Sequence, residues 1–266
     1  MRQHPARPSG PSKGWVEARY VGLVGPIMVV AAGVGVWQIV AVVLRNRVLV
    51  PPPVDVVLGG VWLASNNVLG PALLVSVQEM YLGMAIGIVA GIVFGIAIGR
   101  YRFLDVMLGP FVDAGNATPS IVFIPLLVIW LGVGIEARVA LIVIITFWPV
   151  LLNTAAGTRN INSRYMDLGT SFGLSEGALV WKVALPAVMP YIMTGLRLAV
   201  GLGVVGMIIS EMEVSEVGLG NALIFYGDAF ETARLIALVF IVALFGVAHV
   251  LILRAIQSRW IPWSLA

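Results

Sequence analysis

Val21 to Leu44 is an almost unbroken apolar run, interrupted by Gln38. Five further runs of this kind follow, at about 75–99, 117–134, 137–157, 188–210 and 233–256. About 20 apolar residues in a helix cross a bilayer. In lipid each backbone group needs a partner within the protein, and a helix supplies those partners from its own segment. Composition agrees: 60% of the residues are hydrophobic and 11% charged, where a soluble domain carries about a quarter charged. The expected fold class is all-α, a polytopic bundle of about six membrane spans. Residues 1–20 read as a polar cytoplasmic tail, and 21–266 as the transmembrane domain. The first run is too long for the core of a cleaved signal peptide, and no polar small-residue zone follows it.

The third run is short and holds Pro119 and Pro125, so Leu104 to Asn116 is expected to complete it. Its freed carbonyls require protein partners, which predicts a helix inside the bundle. Val48 to Leu74 opens on Pro51-Pro52-Pro53 and contains Asp55, Ser65, Asn66 and Asn67. It reads as an amphipathic helix on the outer surface. The basic residues give the orientation. Arg2, Arg7, Lys13, Arg19, Arg100, Arg102, Arg159, Arg164, Lys182, Arg254 and Arg259 fall on one side, with Arg197 near the same end of its span. Arg45, Arg47, Arg138 and Arg234 fall on the other. That bias places both termini in the cytoplasm. It also accounts for the basic charge without nucleic acid, since no basic run interleaved with aromatics occurs.

Several chemistries are excluded by residue type. There is no cysteine, and His4 and His249 stand far apart, so thiolate or histidine metal centres are not expected. No catalytic constellation of convergent acids and histidine occurs within the spans. No GxxxxGK[ST] phosphate loop is present, so any nucleotide hydrolysis belongs to another chain.

Two patterns remain. Gly83, Gly87, Gly91, Gly95 and Gly99 recur every four residues in the second span, forming one helix face that admits a neighbouring backbone. The segment 159–186 joins the fourth and fifth spans and reads as two short helices turning at Gly173. Ser175 and Glu176 would open the second helix. Leu179, Val180 and Val183 would share one face. On composition alone the segment is equally a docking loop or a membrane-parallel foot of the next span. The polar residues in or near spans are Glu79, Asn116, Thr118, Ser120, Asn153, Thr154, Ser210 and Glu211. Of these, Asn116, Thr118, Ser120, Asn153, Ser210 and Glu211 are the candidates for lining a solute pathway, although hydroxyls also bond to their own helix. His249 reads as a packed residue.

The loop resembles the EAA loop of bacterial ABC importer permeases: Glu-Ala-Ala, three residues, Gly, nine residues, then Ile-x-Leu-Pro. Aligned on Gly173, the Glu position is Asp167 and the alanine positions are Leu168 and Gly169; Val183, Leu185 and Pro186 close the motif. The Ala-Ala pair is absent. The run TPSIVFIPLLVIWLGVGIEARVALIVIITFWPVLLNT, the glycine ladder after Ser76, PPPVDVVLGGVW and EVGLGNAL resemble the nitrate/sulfonate/taurine branch of the same permeases, a likeness over about 45–260. This resemblance implies a type I importer fold. It implies a pathway built from two permease chains, here a homodimer in the bacterial inner membrane. Two ATPase subunits would bind ATP and Mg, and an external solute-binding protein would deliver a sulfonate, nitrate, taurine or related solute. Asp167, Gly173, Glu176, Leu185 and Pro186 would carry the coupling to the ATPase, and the chain would hold no cofactor and be no enzyme. An ion-coupled carrier or channel using Glu79 or Asn153 is the alternative, but it leaves the ordered loop unexplained.

Overall fold

The computed structural model of the chain describes residues 13–161 and 163–260. All regular elements among them are helical. In order they are α1 (Lys13–Leu44), α2 (Pro53–Ser65), α3 (Leu69–Arg100), α4 (Arg102–Ala117), a 3-10 turn (Ser120–Phe123), α5 (Ile124–Leu131), α6 (Ile135–Arg159), α7 (Ser163–Ser171), α8 (Glu176–Leu179), a π turn (Val180–Ala184), α9 (Leu185–Val214), α10 (Leu219–Asp228) and α11 (Thr232–Trp260). Residues 1–12 of the expected tail lie outside the described residues, and its remainder is the helical start of α1.

The boundaries have local causes. After α1, Arg45 takes a positive φ of 50°, and the Asn46 side chain accepts from the amides of Val48 and Leu49 at 3.0 and 3.1 Å. Pro53 then starts α2, where its missing N–H costs nothing. Gly132 ends α5 at φ 82°.

α3, α6 and α9 form the centre. Gly83 faces Ile142, Gly87 faces Thr146, Gly91 faces Val150, Gly95 faces Thr154 and Gly99 faces Thr158. Both helices step by four residues in the same direction, so α3 and α6 are parallel. The contact is backbone-close: a methyl on Gly91 would lie 2.8 Å from Val150 Cβ and 2.9 Å from the Phe147 carbonyl oxygen. α9 runs the other way, with Gly195 against Pro149 and Val150, Gly203 against Thr146 and Met84, and Gly206 against Ile145. The buried cores of α2, α10 and α11 close one flank through Val56, Leu63, Leu219, Ala222 and Leu238.

Five helical stretches are long and apolar enough to cross a membrane: Gly25–Leu44, Leu69–Arg100, Ile135–Arg159, Glu176–Val214 and Thr232–Arg259. Because α3 and α6 are parallel, the chain between them must return across the membrane. The bent pair Arg102–Ala117 and Ser120–Leu131, at 94°, is the sole apolar segment there. It is therefore the sixth crossing.

Three expectations need correction. Within the single chain the third span is not an interior helix: α4 buries no residue and α5 buries Ile124 and Leu127 alone. Its break follows from Pro119, which holds Thr118 extended at ψ 123°. The outer helix is shorter than 48–74: Asn67, at φ 57°, turns the chain, and Leu69 onward belongs to α3. That outer helix also packs within the chain, Gly59 abutting the backbone of Ala233 and Arg234. Finally, the fifth span is longer than 188–210, since one apolar helical stretch runs from Glu176 to Val214.

The ladder yields a stability test. Gly91→Leu drives a branched side chain into Val150 and the α6 backbone, which cannot retreat. The inserted protein should lose about 3 kcal/mol, the upper range of overpacked cores, read as a lowered unfolding temperature in detergent. Wild-type stability would mean that this face does not carry the helix pair.

Candidate functional site

The segment 159–186 is built from local rules. α7 ends in a Schellman motif: Leu174 N–H donates to the Gly169 carbonyl at 3.1 Å, and Gly173 N–H donates to that of Thr170 at 2.9 Å. This closure places Gly173 at φ 72°, where a side chain would be strained. Ser175 then caps the next helix, its hydroxyl oxygen accepting from Ala178 N–H at 3.4 Å. The short second helix does not stop. Leu185 N–H reaches back to the Val180 carbonyl, the wider π spacing, and the helix passes directly into α9. Pro186 and Pro190 lack the amide hydrogens an α-helix would use here, which favours the widened turn. The segment is thus a capped turn whose second arm continues directly into the next span.

The two arms pack on each other at Gly169. A methyl there would fall 2.5 Å from Leu179 Cδ2 and 3.4 Å from Val183 Cγ2. Leu179 is buried, and Val180 and Val183 are half-buried on the same face. At the second alanine position glycine thus lets the Leu179 side chain lie close against α7. Two ion pairs anchor the loop to neighbouring helices: Arg100 with Glu176 at 3.6 Å, and Arg159 with Asp105 at 2.5 Å. The outward face carries Leu168, Phe172 at 82% exposure and Trp181 at 72%. Asp167 and Pro186 are exposed and Leu185 is half-buried.

At the far end of the central helices lies a buried charge cluster. Glu79 stands one ladder step before Gly83, and Arg138 one step before Ile142. They meet through Nη2 at 2.6 Å and Nε at 2.8 Å, both to Glu79 Oε1. Arg138 Nη1 also donates to the Val214 carbonyl at 3.2 Å, tying α6 to the end of α9. Glu211 is fully buried beside this pair. Gly220 N–H donates to its Oε2 at 2.8 Å, and Leu219 N–H donates to Ser76 Oγ at 3.0 Å. Gly218, at φ 154°, leaves the space that the Glu211 carboxylate occupies. The charges therefore clamp α3, α6, α9 and the start of α10 together. The sequence reading named Glu79 and Glu211 but did not pair either; the signal was that Glu79 continues the glycine spacing backwards.

The remaining polar candidates are scattered. Ser210 and Glu211 have virtually no exposed surface, and the Ser210 hydroxyl donates to the Met207 carbonyl at 2.9 Å. Thr154 is buried against Gly95. Thr118 donates to Ala114 at 2.8 Å and Asn153 to Pro149 at 2.7 Å, both carbonyls of their own helices. Asn116 is exposed and Ser120 half-buried. His249 Nδ1 lies 2.8 Å from the Phe245 carbonyl oxygen, and its ring contacts Tyr81 and Phe245.

The clamp generates a double-mutant prediction. Arg138→Met leaves Glu79 buried without its partner and should cost about 3–5 kcal/mol. Glu79→Met with Arg138→Met removes both charges and should recover most of that loss. Unfolding temperatures of the three proteins test it: equal destabilisation by the single and double variants would refute a paired clamp.

Comparison with known proteins agrees with this architecture. Residues 87–262 match the family described as "Binding-protein-dependent transport system inner membrane component". The chain is 29% identical over 232 residues to the taurine transport system permease protein TauC of Escherichia coli (strain K12), covering 85% of this chain and 84% of that one. It is 30% identical over 235 residues to the putative aliphatic sulfonates transport permease protein SsuC of the same organism, covering 88% and 89%. A chain of the MetNI methionine ABC transporter in an inward-facing conformation shares the fold, with a TM-score of 0.56 and 19% identity, over 71% of this chain and 95% of that one. This chain belongs to the family of binding-protein-dependent transport system inner membrane components, as a multi-pass ABC importer permease.

Proposed function

We propose that two copies of this chain form the pathway of an importer for a small solute such as a sulfonate, nitrate or taurine. In this reading an external solute-binding protein delivers the solute and two ATPase subunits drive import. The solute is a sulfonate, nitrate, taurine or a related organic molecule in this reading, since the names of relatives specify taurine, aliphatic sulfonates and nitrate. Hydrolysis falls to the ATPase because this chain has no phosphate loop.

One observation supports the coupling role: the loop is an ordered, capped turn that exposes large apolar side chains among polar ones. Phe172 and Trp181 project from a capped turn that also reaches α3 through the ion pair of Arg100 with Glu176. Large exposed aromatics on an ordered loop mark a contact surface. A partner pressing on Trp181 would act on α9 without an intervening hinge, since the π turn joins the two. Asp167, Gly173, Glu176, Leu185 and Pro186 are proposed to form or shape this contact. Both termini and this loop lie in the cytoplasm by the distribution of arginine and lysine.

Gly173→Val should insert normally, because the apolar spans govern insertion. Its αL backbone is unfavourable for a β-branched residue, so the turn should open. The variant should retain far less ATPase on affinity purification from native membranes and lose solute uptake in vesicles. Wild-type retention and uptake would sink the coupling assignment.

Topology has its own test. Reporter fusions after residues 65, 103, 165 and 225 should read outside, inside, inside and outside. An inside signal at residue 65 would invert or remove the first crossing.

A further inference from the structure

An apolar groove of about 500 Å³ runs between α9 and α11, walled by Gly201, Val204, Gly246, Val250 and Leu251. It ends at Arg254, where it meets a second cavity of about 500 Å³ that contains Arg197 and Ser258. We propose that this composite cleft binds one anionic glycerophospholipid, an acyl chain in the groove and the phosphate headgroup against Arg197 and Arg254.

Shape and charge both fit that occupant. Gly201 has no neighbouring atom within 4 Å of where a methyl would stand, and at Gly246 the nearest atom is Val204 Cγ1 at 3.8 Å. The glycines therefore leave open space in a helix pair that is otherwise lined by branched side chains. From Val242 to Arg254 the groove follows α11 for about 18 Å, at about 1.5 Å per residue. That is close to half of the ~30 Å hydrocarbon core, the reach of one acyl chain. At the headgroup end no carboxylate lines either cavity. Arg197 Nη2 donates to Gln257 Oε1 at 2.7 Å, which holds its guanidinium beside Arg254. Among the described residues Arg254 forms no ion pair or hydrogen bond. Among the described residues no acid faces these two guanidinium groups, and at the end of an apolar slot they complement a headgroup of net negative charge rather than a zwitterionic or neutral one. Under the proposed topology they sit in the cytoplasmic leaflet.

The test uses the full-length chain, with its co-purifying subunits, in mild detergent. Phosphatidylglycerol and phosphatidylcholine of identical acyl chains are offered in equal amounts and retained lipid is read by native mass spectrometry. Phosphatidylglycerol should be retained on the order of thirtyfold more, as two arginines near an anionic lipid imply. Arg197→Gln with Arg254→Gln should bring the two lipids near parity, with an unfolding temperature near that of the wild type showing that loss of the Arg197–Gln257 bond has not disturbed the fold. Gly201→Leu should reduce retention of both lipids by filling the slot. A photoreactive side chain at position 201 should form lipid adducts in native membranes. Equal retention of the two lipids by the wild type, or an unchanged preference in the arginine variant, overturns the proposal. So does displacement of the retained lipid by inorganic phosphate, or an adduct at position 201 to a second copy of the chain.

Discussion

The close parallel approach of α3 and α6 is the constraint on which the rest of the molecule depends. Hydrophobic burial gives little drive between helices in lipid, because the tails are as apolar as leucine. What remains is dispersion and polar contact at short range, and both need backbones that can touch. Five glycines in register with Ile142, Thr146, Val150, Thr154 and Thr158 supply the touch. The next step of the same register carries no glycine but Glu79 with Arg138, enclosed together. A small-residue seam and a buried ion pair therefore share one helix face. The seam brings the charges within bonding distance. The charges in turn penalise any slip of the seam, since a slipped register would leave a buried ion alone.

The chain path follows from that pairing. Two parallel helices adjacent in sequence require a return crossing between them, and the broken segment around Thr118 and Pro119 makes it. α9 then packs antiparallel, with Gly203 reaching Met84 and Thr146 at once. The loop 159–186 inherits its position: Arg100 at the end of α3 meets Glu176, and Arg159 at the end of α6 meets Asp105. Its second arm is continuous with α9, and α9 is tied at its other end to Arg138 through the Val214 carbonyl. One helical element thus connects the exposed Trp181 with the buried clamp.

Much of the loop was legible in the sequence because capping chemistry is local. Gly173 at the turn and Ser175 at the following N-cap depend on neighbours within a few residues. The continuation into α9 was harder to read, since a π turn spanning Val180–Ala184 has no periodic signature of its own. The third crossing was found where the sequence put it, but its burial was misjudged. Two prolines imply freed carbonyls, but a 94° bend exposes such groups in a different way from an interior helix.

By itself the sequence determined the membrane class, the positions of the long helices to within a few residues and the face of α3 that seeks a close neighbour. Those properties rest on local composition and on a repeat of four, which one helix displays alone. Only the tertiary structure decided that this neighbour is α6, that Glu79 and Arg138 are its final rung, and that Glu211 is enclosed by Ser76 and Gly220. Partner choice is a long-range matter. A glycine face accepts any helix that can approach, and a buried carboxylate shows its partner only once the chain has brought distant residues together.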